Sequence, residues 1–509
     1  MARIVGDDTA MWLERTMIRW TYNASIASRL CRSAEVFCDF DVAQWMDAYD
    51  PELCPCRSHR YADMRNPASL NLLQSEGHTH VIPLDSSITD NTLLQGIMNS
   101  GLNHIPCMAL DVNVAENEMG DFLDRLMARV LELRQLTASS QSFLRNVILR
   151  KARVKMSKYK EQHRHVSAEP FEHPAVKREL EFLVGRFLIC PTDKASNTPA
   201  FVCKNFIRKL AFQRLSGPEF ASIAAPFNAV VARIQRELSA FSALPMAPST
   251  LPYLMAVFKA HNGAFRWITN TAGTIISPAA DLCACLLRFL LPLVLTFCQE
   301  RSLEMQEQYG VKPNLWWSIA SVGEFCANLP ERIFSVFTVD ITKCLETIPT
   351  DNSVDGLPAA VRFYVQSAMQ VRRERSSCHT IQITVGDNGK SWPSWLDANL
   401  AEVMGTMLFR EKDICRLSDW CIANSVLRMG DYVWRQVRGI HMGLACSSIW
   451  CDIYFFKYEY HAMMRLAYTG NAHLVPHFAD TFRYIDDLSA INNTIIRSFM
   501  KVDRAVDDP

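Results

Sequence analysis

The chain is predicted to fold as an α+β protein with a mainly helical N-terminal extension. After Phe334, short β-branched and apolar runs alternate with helical patterns, and upstream of about Leu136 apolar residues recur near helical spacing. Its 509 residues correspond to about three folding units at one per roughly 150 residues. A composition of 49% hydrophobic and 21% charged residues, with 19 Gly and 23 Pro, excludes a collagenous or wholly disordered chain. Four segments are expected: a 1–136 extension with a Cys/His loop, a 137–180 basic helical linker, a 181–335 region, and a 336–509 region of strands and helices.

Charge is balanced, 53 Lys+Arg against 53 Asp+Glu, so nucleic-acid binding would have to come from a local basic patch. Seventeen cysteines, an odd number without a regular framework, point to a reducing intracellular compartment, nuclear or cytoplasmic. Asp7 and Asp8 stand where a secretory leader needs a basic stretch and then an apolar one. The run Leu282 to Phe297 is broken by Arg288 and Pro292 and is shorter than the roughly 20 residues of a membrane span. It reads as a buried helix, with no membrane partner expected.

Taken along the chain, Cys54-Pro55-Cys56, nearby His59 and Gly77-His78-Thr79-His80 come first. Cys54, Cys56, His78 and His80 supply enough sulfur and imidazole for a tetrahedral zinc, but the Cys-x-Cys spacing is irregular and favours a loop with buried thiols over a zinc site. Phe122 to Leu136 is amphipathic through Leu123, Leu126, Met127, Val130, Leu131 and Leu133. Arg145, Arg150, Lys151, Arg153, Lys155, Lys158, Lys160 and Arg164 then follow against a single acid, Glu161. Such a stripe either holds a phosphate backbone by counterion release or is a solvated linker helix.

Leu188 to Phe206 reads as strand, polar turn (Pro191-Thr192-Asp193-Lys194) and strand, and a Pro-punctuated stretch spans Leu244 to Pro252. Val336 to Ile341 is a strand ending in Asp340, and Glu346-Thr347-Ile348-Pro349 turns into a helix. Gly439 and Gly443 flank a loop that permits close backbone approach before a long helix, Ser447 to Tyr468. Phe482 to Ile491 is a hairpin with Asp486 and Asp487 at its tip. Carboxylates gathered from neighbouring strands repel one another unless a divalent cation lies between them. Asp340, Asp486 and Asp487 thus offer what a two-metal phosphoryl-transfer site needs, with two Mg²⁺ ions expected.

In this order, the strand ending in Asp340, the Gly439-Ile440-His441-Met442-Gly443 loop and Tyr484-Ile485-Asp486-Asp487 resemble motifs A, B and C of reverse transcriptases. Pro191-Thr192-Asp193-Lys194, Lys259-Ala260-His261, Trp450-Cys451-Asp452-Ile453-Tyr454, Tyr458-Glu459 and Arg483-Tyr484-Ile485-Asp486-Asp487 are similar to the Penelope-like retroelements and their protist and algal relatives, on the branch near telomerase. The resemblance covers about Leu188 to Asn493. It implies a right-hand polymerase with fingers (181–335) and palm (336–509), acting as an RNA-directed DNA polymerase on an RNA template, a DNA primer and dNTP. Asp340, Asp486 and Asp487 match the metal-binding aspartates. Lys194 and Arg266 match basic contacts to the incoming triphosphate, and Leu345 stands at the sugar gate. Gly439, Gly443 and Arg438 lie in the loop under the template and primer.

Some positions depart from the pattern. Leu345 replaces the usual Tyr or Phe, His441 and Ser448 replace prolines, and Arg438 stands where Gln is common. The sequence stops 22 residues after Asp487, before the later palm motifs, the thumb and any GIY-YIG endonuclease. A truncated copy is therefore expected, with weak synthesis and apolar surface uncovered near Leu488 and Ile491. The alternatives are a decayed or domesticated nucleic-acid-binding protein and, with less support, a viral RNA-dependent RNA polymerase, which usually has an acid where Leu345 sits.

Overall fold

A computed structural model describes residues 74–75, 78–79, 81–83, 89, 91–101, 111–133, 137–162, 173–239, 249–259, 263–385, 391–396, 406–430 and 432–499. Cys54, Cys56, His59, His80, Arg164 and most of Leu244 to Pro252 lie outside them. His78 falls in a short strand. The chain forms two units. The first runs to Ala211 and takes in Met255–Trp267; the second comprises Phe212–Leu254 and continues from Ile268. These units cut across the four segments read from the sequence.

In the first unit, β1 (Gln74–Ser75) pairs antiparallel with β2 (His78–Thr79). β3 (Val81–Pro83), α1 (Thr92–Asn99), α2 (Val112–Leu133), α3 (Ala138–Gln162), α4 (Pro174–Arg186), β4 (Phe187–Thr192), β5 (Ala195–Cys203) and α5 (Lys204–Leu215) follow. Asn91 caps α1, its side chain accepting from the Leu93 and Leu94 amides. α3 packs on α2 and buries Leu144 and Ile148, so the two form a helix pair. β5 pairs with both β3 and β4, antiparallel. Phe187 to Cys190 in β4 and Ala200 to Cys203 in β5 are buried without alternation, because both faces of the sheet are covered here. The expected strand, turn and strand over this stretch is present, except that Phe206 already lies in α5.

β6 (Phe220–Ile223) and α6 (Phe227–Leu238) belong to the second unit, and the boundary between units runs through β7 (Tyr253–Lys259) and β8 (Ala264–Asn270). Then come α7 (Ser277–Tyr309), α8 (Val322–Ala327), β9 (Val336–Asp340), α9 (Cys344–Thr347), α10 (Leu357–Arg375), β10 (Ile381–Val385), β11 (Ser391–Trp395) and β12 (Thr406–Phe409). The series closes with α11 (Glu411–Ala423), β13 (Val426–Met429), β14 (Tyr432–Gln436), α12 (Ser447–Tyr468), a 3₁₀ segment (Ala472–Phe478), β15 (Thr481–Tyr484) and β16 (Asp487–Ile491).

α7 is the centre of this unit's core. It is 33 residues long, well beyond the apolar run read from the sequence, since the helix continues past Pro292, which has no N–H to donate, into the polar turns that follow. By length and composition it is the one helix among the described residues that could cross a membrane. Its Leu282, Leu286, Leu287, Leu290 and Val294 are buried in one cluster with residues of α10, α11 and α12. The Tyr364 hydroxyl donates to the Leu287 carbonyl at 2.9 Å, tying α10 to α7. Gly310, at φ 72°, ends the helix in the left-handed conformation that glycine adopts without steric cost.

Two three-stranded sheets and a further set of paired strands flank these helices. β10 pairs with β11 and β12, β14 with β13 and β6, and β16 lies between β15 and β9, all antiparallel. The hairpin and helix expected at Phe482–Ile491 and Ser447–Tyr468 are present, and the strand expected to end in Asp340 does so. Against expectation, Leu488 and Ile491 are 9% and 2% exposed. Among the exposed apolar residues are Ile333, Phe334 and Val336, leading into the edge strand β9, and Tyr484 on the hairpin.

Candidate active site

β9 and β16 run antiparallel with Asp340 directly opposite Asp487, Val339 opposite Leu488 and Thr338 opposite Ser489. Directly opposed residues of an antiparallel pair project to one face with Cβ atoms roughly 5 Å apart. Both aspartates are exposed. Just past the pair, the Ile341 amide donates to the Asp486 carbonyl at 2.9 Å, so the hairpin tip is clasped to the end of β9.

None of the three carboxylates forms an ion pair or side-chain hydrogen bond among the described residues. Their side chains are not, however, gathered into a three-ligand group: among those residues no set of three or more His, Cys, Asp or Glu is placed to hold a metal. Asp486 occupies the two-residue loop between the Tyr484↔Asp487 pair and is half-buried, whereas Asp487 begins the strand. Register places Asp487 directly opposite Asp340, on one face of the strand pair, and Asp486 in the adjoining loop. Cation chemistry fits this Asp340/Asp487 pair, with Asp486 beside it.

The glycine loop lies against the turn that follows Asp340. The Gly439 amide donates to the Ile348 carbonyl and the Ile440 amide to the Leu345 carbonyl, each at 2.8 Å. The exposed Arg438 donates through Nε to the Thr347 carbonyl at 3.2 Å. Gly439 has φ 79°, and a Cβ there would lie 2.5 Å from the Glu346 carbonyl oxygen, so close approach and backbone conformation both require glycine. At Gly443 a Cβ would collide with the Thr269 carbonyl, and the Thr271 hydroxyl donates to the Gly443 carbonyl. Leu345 is half-buried against the core.

Beneath this surface Cys344 and Cys451 meet at 3.5 Å between Sγ atoms, and the Cys451 thiol is 3.8 Å from the Ile485 carbonyl. Contact with Cys344 and burial together push the Cys451 thiol well above its usual range. His441 is 1% exposed, and neither ring nitrogen has a hydrogen-bond partner. Burial lowers its pKa to about 3, keeping the ring neutral.

A buried ion network not assigned from the sequence supports the hairpin. Arg483, 1% exposed, donates through Nε to Glu459 at 2.6 Å and through one terminal nitrogen to Asp452 at 3.0 Å and to the Ile485 carbonyl at 3.1 Å. Burial raises both carboxyls, against the pull of the guanidinium. Burial by itself would lower Arg483, yet Glu459 and Asp452 hold it above its ordinary value. The signal was legible: an arginine inside an apolar strand, and two acids seven residues apart, hence on one face of a helix.

Lys194 and Arg266 lie in the first unit. Lys194 is exposed at the β4–β5 turn with φ 62°. Arg266, on β8, reaches Asp193 at 3.4 Å, which brings it beside that turn. In the same unit, α3 presents Arg150, Lys151, Lys155, Lys158 and Lys160 to solvent, and none forms an ion pair among the described residues. Arg145 and Arg153 are bound to Asp124 and Glu116 of α2, at 2.5 and 3.2 Å.

No protein-family model matches this chain, and no curated protein does. Among solved structures it is similar to Candida albicans telomerase in complex with a TWJ fragment of telomeric RNA, at 11% identity and a TM-score of 0.39 over 84% of this chain and 63% of that one. The Candida tropicalis telomerase complex gives 12%, 0.40, 94% and 71%, and its apo form truncated from the C-terminal domain 13%, 0.39, 82% and 69%. The chain therefore spans just under two thirds of the Candida albicans protein. At these scores the likeness is too distant to define a family.

Proposed function

We propose that this chain is a template-directed nucleotidyl transferase of the reverse-transcriptase type, from a retroelement lineage of the Penelope-like kind. One observation carries the reading: two carboxylates without counter-charge, opposed in register on adjacent strands, with the glycine loop bonded to the turn after the first and the hairpin tip clasped to the same strand. Asp340 and Asp487, with Asp486, would hold two Mg²⁺ ions. Such ions, when bound, supply Lewis-acid stabilisation of the attacking and leaving oxygens. Gly439 and Gly443 let the loop pack tightly against the Glu346 and Thr269 backbone, and in this reading that loop lies under the template–primer pair. Lys194 and Arg266, both in the first unit, carry the charge types that suit a triphosphate, a Lys point charge beside an Arg fork. An RNA template, a DNA primer and dNTP are the substrates of this reading.

The test is primer extension by the purified 509-residue chain on an RNA template with Mg²⁺. Wild type should extend the primer, and Asp340→Asn or Asp487→Asn should slow extension at least about a thousandfold, roughly 4 kcal/mol of transition-state stabilisation. Equal rates in wild type and both variants would refute the assignment. The exposed basic face of α3 favours a second reading, a nucleic-acid-binding protein without turnover. Salt-sensitive binding with no extension by wild type would select that one.

A further inference from the structure

The turn that carries the hairpin aspartates has a conformation its residue disfavours. Ile485 sits at φ 58°, a left-handed backbone that a β-branched side chain enters only when its surroundings impose it. It is the first residue of a two-residue hairpin loop, where a positive φ is ordinarily supplied by glycine. The Ile485 carbonyl accepts from Arg483 at 3.1 Å, and its side chain packs on the core. Arg483 in turn has little freedom. Its backbone amide donates to the Trp317 carbonyl at 2.7 Å, and its carbonyl accepts from the Ile319 amide at 2.9 Å. Glu459 and Asp452 occupy its fork from α12, and its guanidinium lies 4.8 Å from the Phe455 ring centre.

We propose that Arg483, fixed by Glu459 and Asp452, is a positioning residue that imposes the left-handed turn at Ile485 and so seats the hairpin tip against β9. A buried ion pair is weak evidence for stability, because desolvation offsets the attraction; its best-attested use is to select one geometry over others. Here the geometry selected is the one that lets the Asp486 carbonyl receive the Ile341 amide and sets Asp487 opposite Asp340. The conformational claim stands on contacts alone. Its consequence for cation binding rests on the proposed function.

Removing Arg483 alone strands two buried carboxylates and risks unfolding. The test variant is therefore the triple Arg483→Met, Glu459→Gln, Asp452→Asn, made with Ile485 intact and in an Ile485→Gly background. Amide hydrogen exchange of the 337–345 and 482–491 segments is the first readout, with 282–297 of α7 as the internal control. With Ile485 present, the triple variant should exchange at least tenfold faster in both segments and be unchanged in the control. In the Ile485→Gly background the same triple should change exchange less than threefold, since glycine adopts the turn unaided. Unchanged exchange in the first case, or an equal loss in both backgrounds, would overturn the proposal. Mn²⁺ titration of the same four proteins should follow the exchange pattern. If wild type takes up no Mn²⁺, the metal reading fails, while exchange still decides the role of Arg483.

Discussion

Individual side chains near the site make separable claims. Gly439→Ala faces both a positive φ and a carbonyl at contact distance, whereas Gly470, at φ 77°, has nothing within 4 Å of a built Cβ. Gly470→Ala should therefore cost about 1 kcal/mol and Gly439→Ala clearly more, about 2–3 kcal/mol, read from urea midpoints. His441 gives a pH signature. Its folded pKa of about 3 lies below the ordinary 6.5, so below pH 6.5 the unfolded chain binds a proton that the folded one refuses. Stability should fall by about 1.4 kcal/mol per pH unit as pH drops from 6.5 towards 3, and be constant above 6.5 as far as this group is concerned. Carboxylates titrate in the same range, so the quantity to measure is the difference between wild type and His441→Leu; no difference in slope would refute it. Leu345 covers less of a sugar face than Tyr would, and Leu345→Tyr should sharpen discrimination of dNTP over rNTP in the extension assay. Equal discrimination would move the gate elsewhere.

Among the elements, α3 and α12 have opposite designs. α12 buries residues on most of its surface, with Trp450, Ile453, Phe456, Glu459 and Met463 inside, and uses its acids at 452 and 459 to hold a neighbouring strand. α3 is tethered by Leu144 and Ile148 near its start and leaves its later turns, rich in lysine, to solvent. A phosphate backbone meeting that face would displace counterions roughly one per contact. Lys151→Gln, Lys155→Gln and Lys158→Gln together should lower the slope of log affinity against log salt by about 2–3 for single-stranded RNA, without changing the unfolding midpoint. An unaltered slope would leave α3 as a solvated helix.

For the molecule as a whole, the chain path matters more than any linear boundary. The second unit takes Phe212–Leu254, gives up Met255–Trp267 to the first and resumes at Ile268. A fragment of residues 336–509 would retain all three aspartates yet lose α7, against which α10, α11 and α12 bury their apolar faces. Losing several core Leu at about 2–5 kcal/mol each exceeds the 5–15 kcal/mol margin of an ordinary domain. Such a fragment should show no cooperative urea transition, and one starting at Phe212 should keep it.

Local patterning carried the identity of the elements around the site: alternation bounded by polar turns marked β9 and the β15–β16 hairpin, and apolar periodicity marked α7 and α12. It also singled out Asp340, Asp486, Asp487, Gly439 and Gly443, because carboxylates at strand ends and paired glycines are costly unless a local geometry uses them. Register, burial and long-range pairing depended on the tertiary structure. That Asp487 pairs in register with Asp340, that Leu488 and Ile491 are covered, and that Arg483 meets Glu459 across 24 residues are decided by the packing of α12 and β9 on the hairpin. A sequence window of ten to twenty residues reports which face of an element is apolar; it holds no information on which other element covers that face, and the clamp beneath Ile485 exists only where two such elements meet.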